Sequence, residues 1–342
     1  MIMDSTSSAS GRRWYQLRFG NRFWTLAGAV LLLAAGAYGA VRWHVESSLA
    51  ADAPEHRSNA AQVSTAERER LSEGARRILP LQVAKRIPDK NDWLARHGTK
   101  GQTFDEYLAT NPNRPNEIRT TLYVANVGQM TAAQQRVVDK TRELLGIFFG
   151  VQALSLSDIP LDTVPADYRR VRSESRSDDQ ILTNYILEDI LAPRRPKNAV
   201  AVLGLTAVDL YPGDEWNYVF GQASFDARVG IHSFHRYGDP DAGPAEFQVC
   251  LLRTLKVALH ESGHMFGLEH CRVYECGMNG SNHTEELDGN ALGFCVDCEQ
   301  KLWWACHLPI FERYQKLREF AERNDLVEAE RIWRAHVRAC EH

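Results

Sequence analysis

The run His260-Glu261-Ser262-Gly263-His264-Met265-Phe266-Gly267-Leu268-Glu269-His270 places three imidazoles, the Glu261 carboxylate and Gly267 at spacings that suit a metal-assisted hydrolysis. On a helix of about 3.6 residues per turn, His260 and His264 share a face and reach one tetrahedral ion. Glu261 points elsewhere and is free to hold a water in the fourth position. Gly267 lets the backbone leave the helix and fold back, so that His270 becomes the third ligand. Three neutral imidazoles leave a zinc ion its full charge, which acidifies the bound water and polarises a substrate carbonyl. Glu261 then takes the proton of this water and passes it to a departing amine, which is peptide-bond hydrolysis. An H-E-x-x-H string alone arises by chance in on the order of one per cent of chains this long, and requiring Gly267 and His270 lowers that by roughly a thousandfold. Accident is therefore set aside.

The extended motif is that of the metzincin metalloproteases, which also carry a methionine turn under the metal. The continuation Cys271-Arg272-Val273-Tyr274-Glu275-Cys276-Gly277-Met278, followed by Cys295-Val296-Asp297-Cys298, closely resembles the archaemetzincin family of metzincins. The segments Asp92-Trp93-Leu94, Gly101-Gln102-Thr103-Phe104, Leu205 to Pro212 and Asn217 to Ser224 are similar to it as well. The interval between methionine and the CxxC pair is about one residue shorter than is usual in the family, a difference a loop absorbs. The resemblance implies an α/β (α+β) metzincin-like zincin domain, with a twisted mixed sheet, an active-site helix and a helical C-terminal part. It further implies Met278 as an apolar floor below the metal, and a peptide substrate lying along an exposed edge strand. Tyr218 to Phe225 is the candidate edge; an interior strand would suit Val219, Phe220 and Ala223 nearly as well.

Cys271, Cys276, Cys295 and Cys298 form a second constellation, since two thiolate pairs can close a tetrahedral site with no open position. Two disulfides, a redox-active Cys295/Cys298 pair and unrelated buried thiols are the competing readings. The family resemblance implies a structural zinc there, making two zinc ions per chain. Cys250, Cys306 and Cys340 are left over. An oxyanion stabiliser is also required, and His232, His235, Tyr274 and His283 are the candidates.

These groups need rigid carriers. Pro244 opens a helix through the motif, with Leu251, Leu252, Leu255, Ala258 and Leu259 on an apolar flank and Arg253 and Lys256 pointing away. Upstream, Arg119 to Val127 reads as a strand, Thr131 to Phe149 as a helix, Asp167 to Asp179 as a loop before a helix through Ile190 and Leu191, and Asn198 to Leu205 as a buried strand. Asn217 to Phe225 and Val229 to Phe234 are two further strands. Beyond Lys301 the pattern is helical as far as Cys340, with Trp303, Trp304, Phe311, Tyr314, Leu317, Phe320 and Trp333 as core contacts.

The chain has 342 residues and a net charge of −4, with no basic stripe that would suit a nucleic-acid partner. Residues 23–41 are uncharged and long enough to cross a bilayer, and Arg12, Arg13, Arg18 and Arg22 precede them. By the positive-inside rule they predict a basic cytoplasmic tail over 1–22, a signal-anchor helix over 23–41 and an extracytoplasmic remainder; a cleaved signal and a secreted protein are the alternative. A polar linker over 42–76, a catalytic domain over 77–308 and a C-terminal helical extension over 309–342 complete the expected organisation. A membrane-tethered, catalytically inactive zinc-binding scaffold or peptide-binding module is the rival function, against which the intact Glu261 stands. Oligomeric state and substrate identity are not encoded in these patterns.

Overall fold

The computed structural model describes residues 63–171 and 179–341. The expected tail over 1–22 and membrane helix over 23–41 lie outside the described residues. Among those described, no helix is long and apolar enough to cross a membrane.

Helix α1 (Thr65–Ile78) starts at Ser64, whose hydroxyl accepts the Glu67 N–H, and lies mostly within the stretch expected as a polar linker. Its apolar residues are few, but Leu71, Gly74 and Ile78 fall on one face and are all buried. Gly74 sits against Trp303 and Ile310, where a Cβ would lie 3.0 and 2.7 Å from their side-chain atoms, so the helix approaches closely. Two short helices follow, α2 (Trp93–His97) and α3 (Phe104–Ala109), the latter with a full capping box from Thr103 and Glu106.

The centre is a five-stranded sheet in the order β2-β1-β5-β8-β7. It is built from β1 (Thr121–Val127), β2 (Gln152–Ser155), β5 (Ala199–Thr206), β7 (Gly221–Ser224) and β8 (Val229–Ser233). The first four in that order run parallel, and β7 closes one edge antiparallel to β8. A smaller sheet of β3 (Arg169–Val171), β4 (Asp179–Leu182) and β6 (Asp209–Tyr211) stands beside it. All eight residues of β5 are buried, as a parallel strand covered on both faces requires. One face packs on Ile181, Ile186, Leu187, Ile190 and Leu191, the last four in a π-helical turn, Ile186–Leu191, where an ordinary helix was expected.

The other face carries α4 (Ala132–Phe149), capped by Thr131 and Gln134, and α5 (Pro244–Met265), the motif helix. Beyond α6 (Thr284–Gly289), the expected helical stretch consists of three helices, α7 (Val296–Cys306), α8 (Ile310–Arg323) and α9 (Val327–Cys340). Pro309 and the Asn324–Leu326 turn make the breaks, because proline and left-handed backbone at His307 and Asp325 cannot continue a helix. Trp303, Trp304, Tyr314, Leu317, Phe320 and Trp333 all lie in the main core with the motif helix α5. The helical extension is thus part of one hydrophobic core, with no packing boundary at residue 308. A buried pair from Arg313 to Glu299, at 2.9 Å, ties α8 to α7, and Arg313 also donates to the Phe148 carbonyl at 2.8 Å.

Candidate active site

Helix α5 delivers His260, Glu261 and His264 to the wall of a cleft of about 1050 Å³. At its end the Leu268 N–H donates to Gly263 O at 3.0 Å and the Gly267 N–H to His264 O at 2.8 Å, a pairing that satisfies the last carbonyls and reverses the chain. Gly267 has φ +88°, and a Cβ there would also meet Pro112 at 2.6 Å. The reversal brings the ligand nitrogens of His260, His264 and His270 within 4.8 Å of one another.

Two of the three rings have their orientation fixed from behind. His260 Nδ1 lies 2.8 Å from the Gly277 carbonyl and His264 Nδ1 2.7 Å from the Leu268 carbonyl. A carbonyl only accepts, so each Nδ1 carries the proton and each Nε2 a lone pair. Those two Nε2 atoms are 3.1 Å apart with no proton to share between them. Facing lone pairs at this distance call for a cation, and tetrahedral zinc with ligands at about 2.0–2.1 Å needs nitrogens about 3.3 Å apart. Burial holds all three imidazoles neutral, with pKa values pushed down to about 4 for His260, about 3 for His264 and about 2 for His270. Neutral is the state in which a histidine binds metal.

Among the described residues the Glu261 carboxylate has no hydrogen-bond partner, and burial pushes its pKa up to about 8. A cation beside it would draw that value down again. It rests against the first residue of β7: a Cβ at Gly221 would lie 2.6 Å from Glu261 Oε1 and 2.9 Å from Cδ. Only a glycine leaves the carboxylate that place. Gly221→Ala is expected to lower kcat by about 10²-fold, the cost of a misplacement near 1 Å, with metal content and melting temperature close to those of the unmodified chain. Unchanged kcat would show that the carboxylate has room to spare. Met278 is buried against α5 at Gly263, where any Cβ would collide with its sulfur.

Aromatic rings stand on both sides of the triad. Trp93 packs at 4.1 Å between ring centroids on His270, His97 follows at 5.2 Å from Trp93, and Trp216 stacks on His97 at 5.4 Å. Phe225, at the far end of β7, stands 5.4 Å from His264. β7 is an edge strand, so the expected edge exists as Gly221–Ser224, while Val219 instead bridges to Leu210. Of the four candidate oxyanion stabilisers, only His283 lines the cleft, and its Nε2 is engaged by Asp92 at 3.2 Å. His232 is fully buried on β8, its ring held neutral and without hydrogen-bond partners among the described residues, and neither His235 nor Tyr274 is among the residues lining the cleft.

The four remaining motif thiols form a separate cluster. The sulfurs of Cys271, Cys276, Cys295 and Cys298 all lie within 4.8 Å of one another, with Cys271 Sγ 3.6 Å from Cys295 Sγ. That is far from a disulfide bond and close to the roughly 3.8 Å between thiolates around zinc at about 2.3 Å. All seven cysteines are free thiols. Hydrogen bonds from the Cys276, Cys295 and Cys298 thiols pull the pKa of Cys271 far down, and the Met278 and Cys295 N–H groups donate to Cys276 Sγ at 3.4 and 3.2 Å. The donor set fits a second metal ion.

Comparison with known proteins gives the lineage. The model of peptidase family M54 matches residues 196–303. Human archaemetzincin-2 is 33% identical over 259 residues, spanning 66% of this chain and 71% of that protein. The chain belongs to the archaemetzincin family. It is a zinc metallopeptidase of that family. The archaemetzincin of Pyrococcus furiosus is 30% identical over 186 residues, 54% of this chain and 93% of that one. The crystal structure of the Methanopyrus kandleri archaemetzincin is 30% identical, covers 57% of this chain and 99% of its own, and has a TM-score of 0.46. In this archaemetzincin the residues whose place at the site the sequence left unassigned are Trp93, Trp216, Gly221, Phe225 and Lys256. Lys256 was expected to point away from the core, but it is buried and lines the cleft.

Proposed function

We propose that this archaemetzincin hydrolyses peptide bonds in the β7 cleft, with His260, His264 and His270 holding a catalytic zinc and Glu261 as general base and then acid. The two proton-free Nε2 atoms 3.1 Å apart carry this reading. When bound there, zinc supplies Lewis-acid chemistry, polarising the scissile carbonyl and acidifying a water. Glu261, alone and desolvated on the cleft wall, accepts the proton of the attacking water and returns it to the leaving nitrogen. The open edge of β7 offers main-chain hydrogen bonds that would align an extended peptide. Trp93 excludes water behind His270, and Met278 supplies an apolar floor. Cys271, Cys276, Cys295 and Cys298 would hold a structural zinc with no position left open.

We further propose that the catalytic part is carried beyond the membrane by residues 23–41, which is supported by their uncharged length and the arginines before them. Metal analysis of the full chain together with a peptide library tests the catalytic reading. Two zinc ions per chain are expected, with cleavage abolished by a chelator and restored by zinc. A folded, zinc-loaded protein that cleaves no peptide would leave only a binding module.

A further inference from the structure

Lys256 stands one helical turn before His260 on α5, so its side chain shares the face that bears the first two ligands. It lines the same cleft yet is only 6% exposed. Its Nζ donates to the Leu287 and Asp288 carbonyls at 3.1 and 2.7 Å, in the last turn of α6. No carboxylate among the described residues pairs with it. The obvious one, Asp288, is taken from the other side by Arg253, with contacts of 2.8 and 2.6 Å. An ammonium has three N–H donors, and two neutral carbonyls use two of them.

A buried charge with no carboxylate in direct contact is costly, and burial pushes the Lys256 pKa down to about 8, against the smaller opposing pull of the Asp288 charge. At neutral pH the group is still mostly protonated. Val257, Leu287 and Ala291 give the recess apolar walls, and the Asn290 amide nitrogen is already spent on Ser281 at 2.8 Å. An apolar recess with one unpaired ammonium on its wall binds an anion of modest size, and in a peptide that anion is a carboxylate. Capping α6 alone would not require burial, because lysines that cap helix ends keep their heads in water.

We propose that Lys256 forms the floor of a substrate subsite that takes a carboxylate, either an acidic side chain close to the scissile bond or the terminal carboxylate of a short peptide. The proposal rests on the peptidase reading of the cleft. It makes the enzyme selective for acidic or C-terminal sequences and gives Lys256 a specificity role that does not touch the reacting atoms.

The test uses the full, zinc-loaded chain and two series of matched peptides. One series exchanges Glu for Gln and Asp for Asn at each position around the cleaved bond; the other exchanges a free C-terminus for an amide. A loss of about tenfold or more in kcat/KM, the effect of about 1.4 kcal/mol, is expected in one series, and that series identifies which carboxylate is read. Lys256→Met should abolish the discrimination, and Lys256→Arg should retain it.

Equal rates within both series in the unmodified enzyme would overturn the proposal, as would a Lys256→Met enzyme that still discriminates. Calorimetry with N-acetylglutamate against N-acetylglutamine covers the case in which no peptide is cleaved. Carboxylate binding to zinc is common to the unmodified chain and Lys256→Met, so affinity lost only in the variant locates the subsite at Lys256. Equal affinity in both proteins would refute the subsite whatever the fate of the peptidase reading.

Discussion

Glu261→Gln will lower kcat by about 10²–10⁴-fold, the contribution of a positioned general base, with zinc content equal to that of the parent. The substitution is nearly isosteric, and among the described residues the carboxylate has no hydrogen-bond partner, so no hydrogen-bond network there is broken with it. Gly221 still leaves the amide the space that the carboxylate had. What is lost is a site for the proton: an amide oxygen does not take one from water near neutral pH. KM should change little, because the edge of β7 and the aromatic walls remain. Metal analysis and steady-state kinetics on the same preparation check this. A variant with normal zinc and kcat within about threefold of the parent would remove Glu261 from the reaction and make the desolvated carboxylate a passive part of the wall.

The motif was readable because its chemistry is local. His260, Glu261 and His264 lie within one turn of one helix, and the reversal to His270 depends on a single residue, Gly267, whose φ of +88° excludes most others. The long core elements were readable too, since β5 is apolar throughout and α4 is apolar on one face with a Thr131 cap. What surrounds the motif was not readable. Gly221 meets Glu261 across 40 positions and Trp93 reaches His270 across 177, and no periodicity links residues so far apart. Lys256 looked like one more solvated charge on an amphipathic helix, because its carbonyl partners come from α6, which packs back onto that face only after the reversal. Helix α1 was hidden for a related reason. Its three contact residues sit among nine charged or polar neighbours, and only the partner helices show that so narrow a stripe suffices. The short strands β2, β3 and β6, of three or four residues, offer too little alternation to be read at all.

On the proposed loading of two zinc ions, Cys276→Ala is expected to release one of them and to lower the melting temperature by about 10 °C or more. Structural zinc contributes apparent free energies of about 10–16 kcal/mol in small domains. This domain has a large core of its own, so part of that is redundant, but even about 4 kcal/mol moves the melting point of a chain this size by roughly 10 °C. The effect should also reach the catalytic ion. Cys271 directly follows His270, and Cys276 precedes Gly277, whose carbonyl holds the His260 ring. Met278, under Gly263, is next again. Freeing Cys276 loosens the loop that carries the third ligand, the orienting carbonyl and the floor, so zinc affinity at the histidines should fall by about 10–100-fold, as it does when groups supporting metal ligands are lost. Titration with a graded series of chelators reads that affinity, and a thermal melt reads the stability. A melt sensitive to chelator and insensitive to reductant would match free thiols around a metal. Two zinc ions retained with an unchanged melt would mean that the four sulfurs cluster without a structural ion, and that the catalytic loop is held by its hydrogen bonds alone.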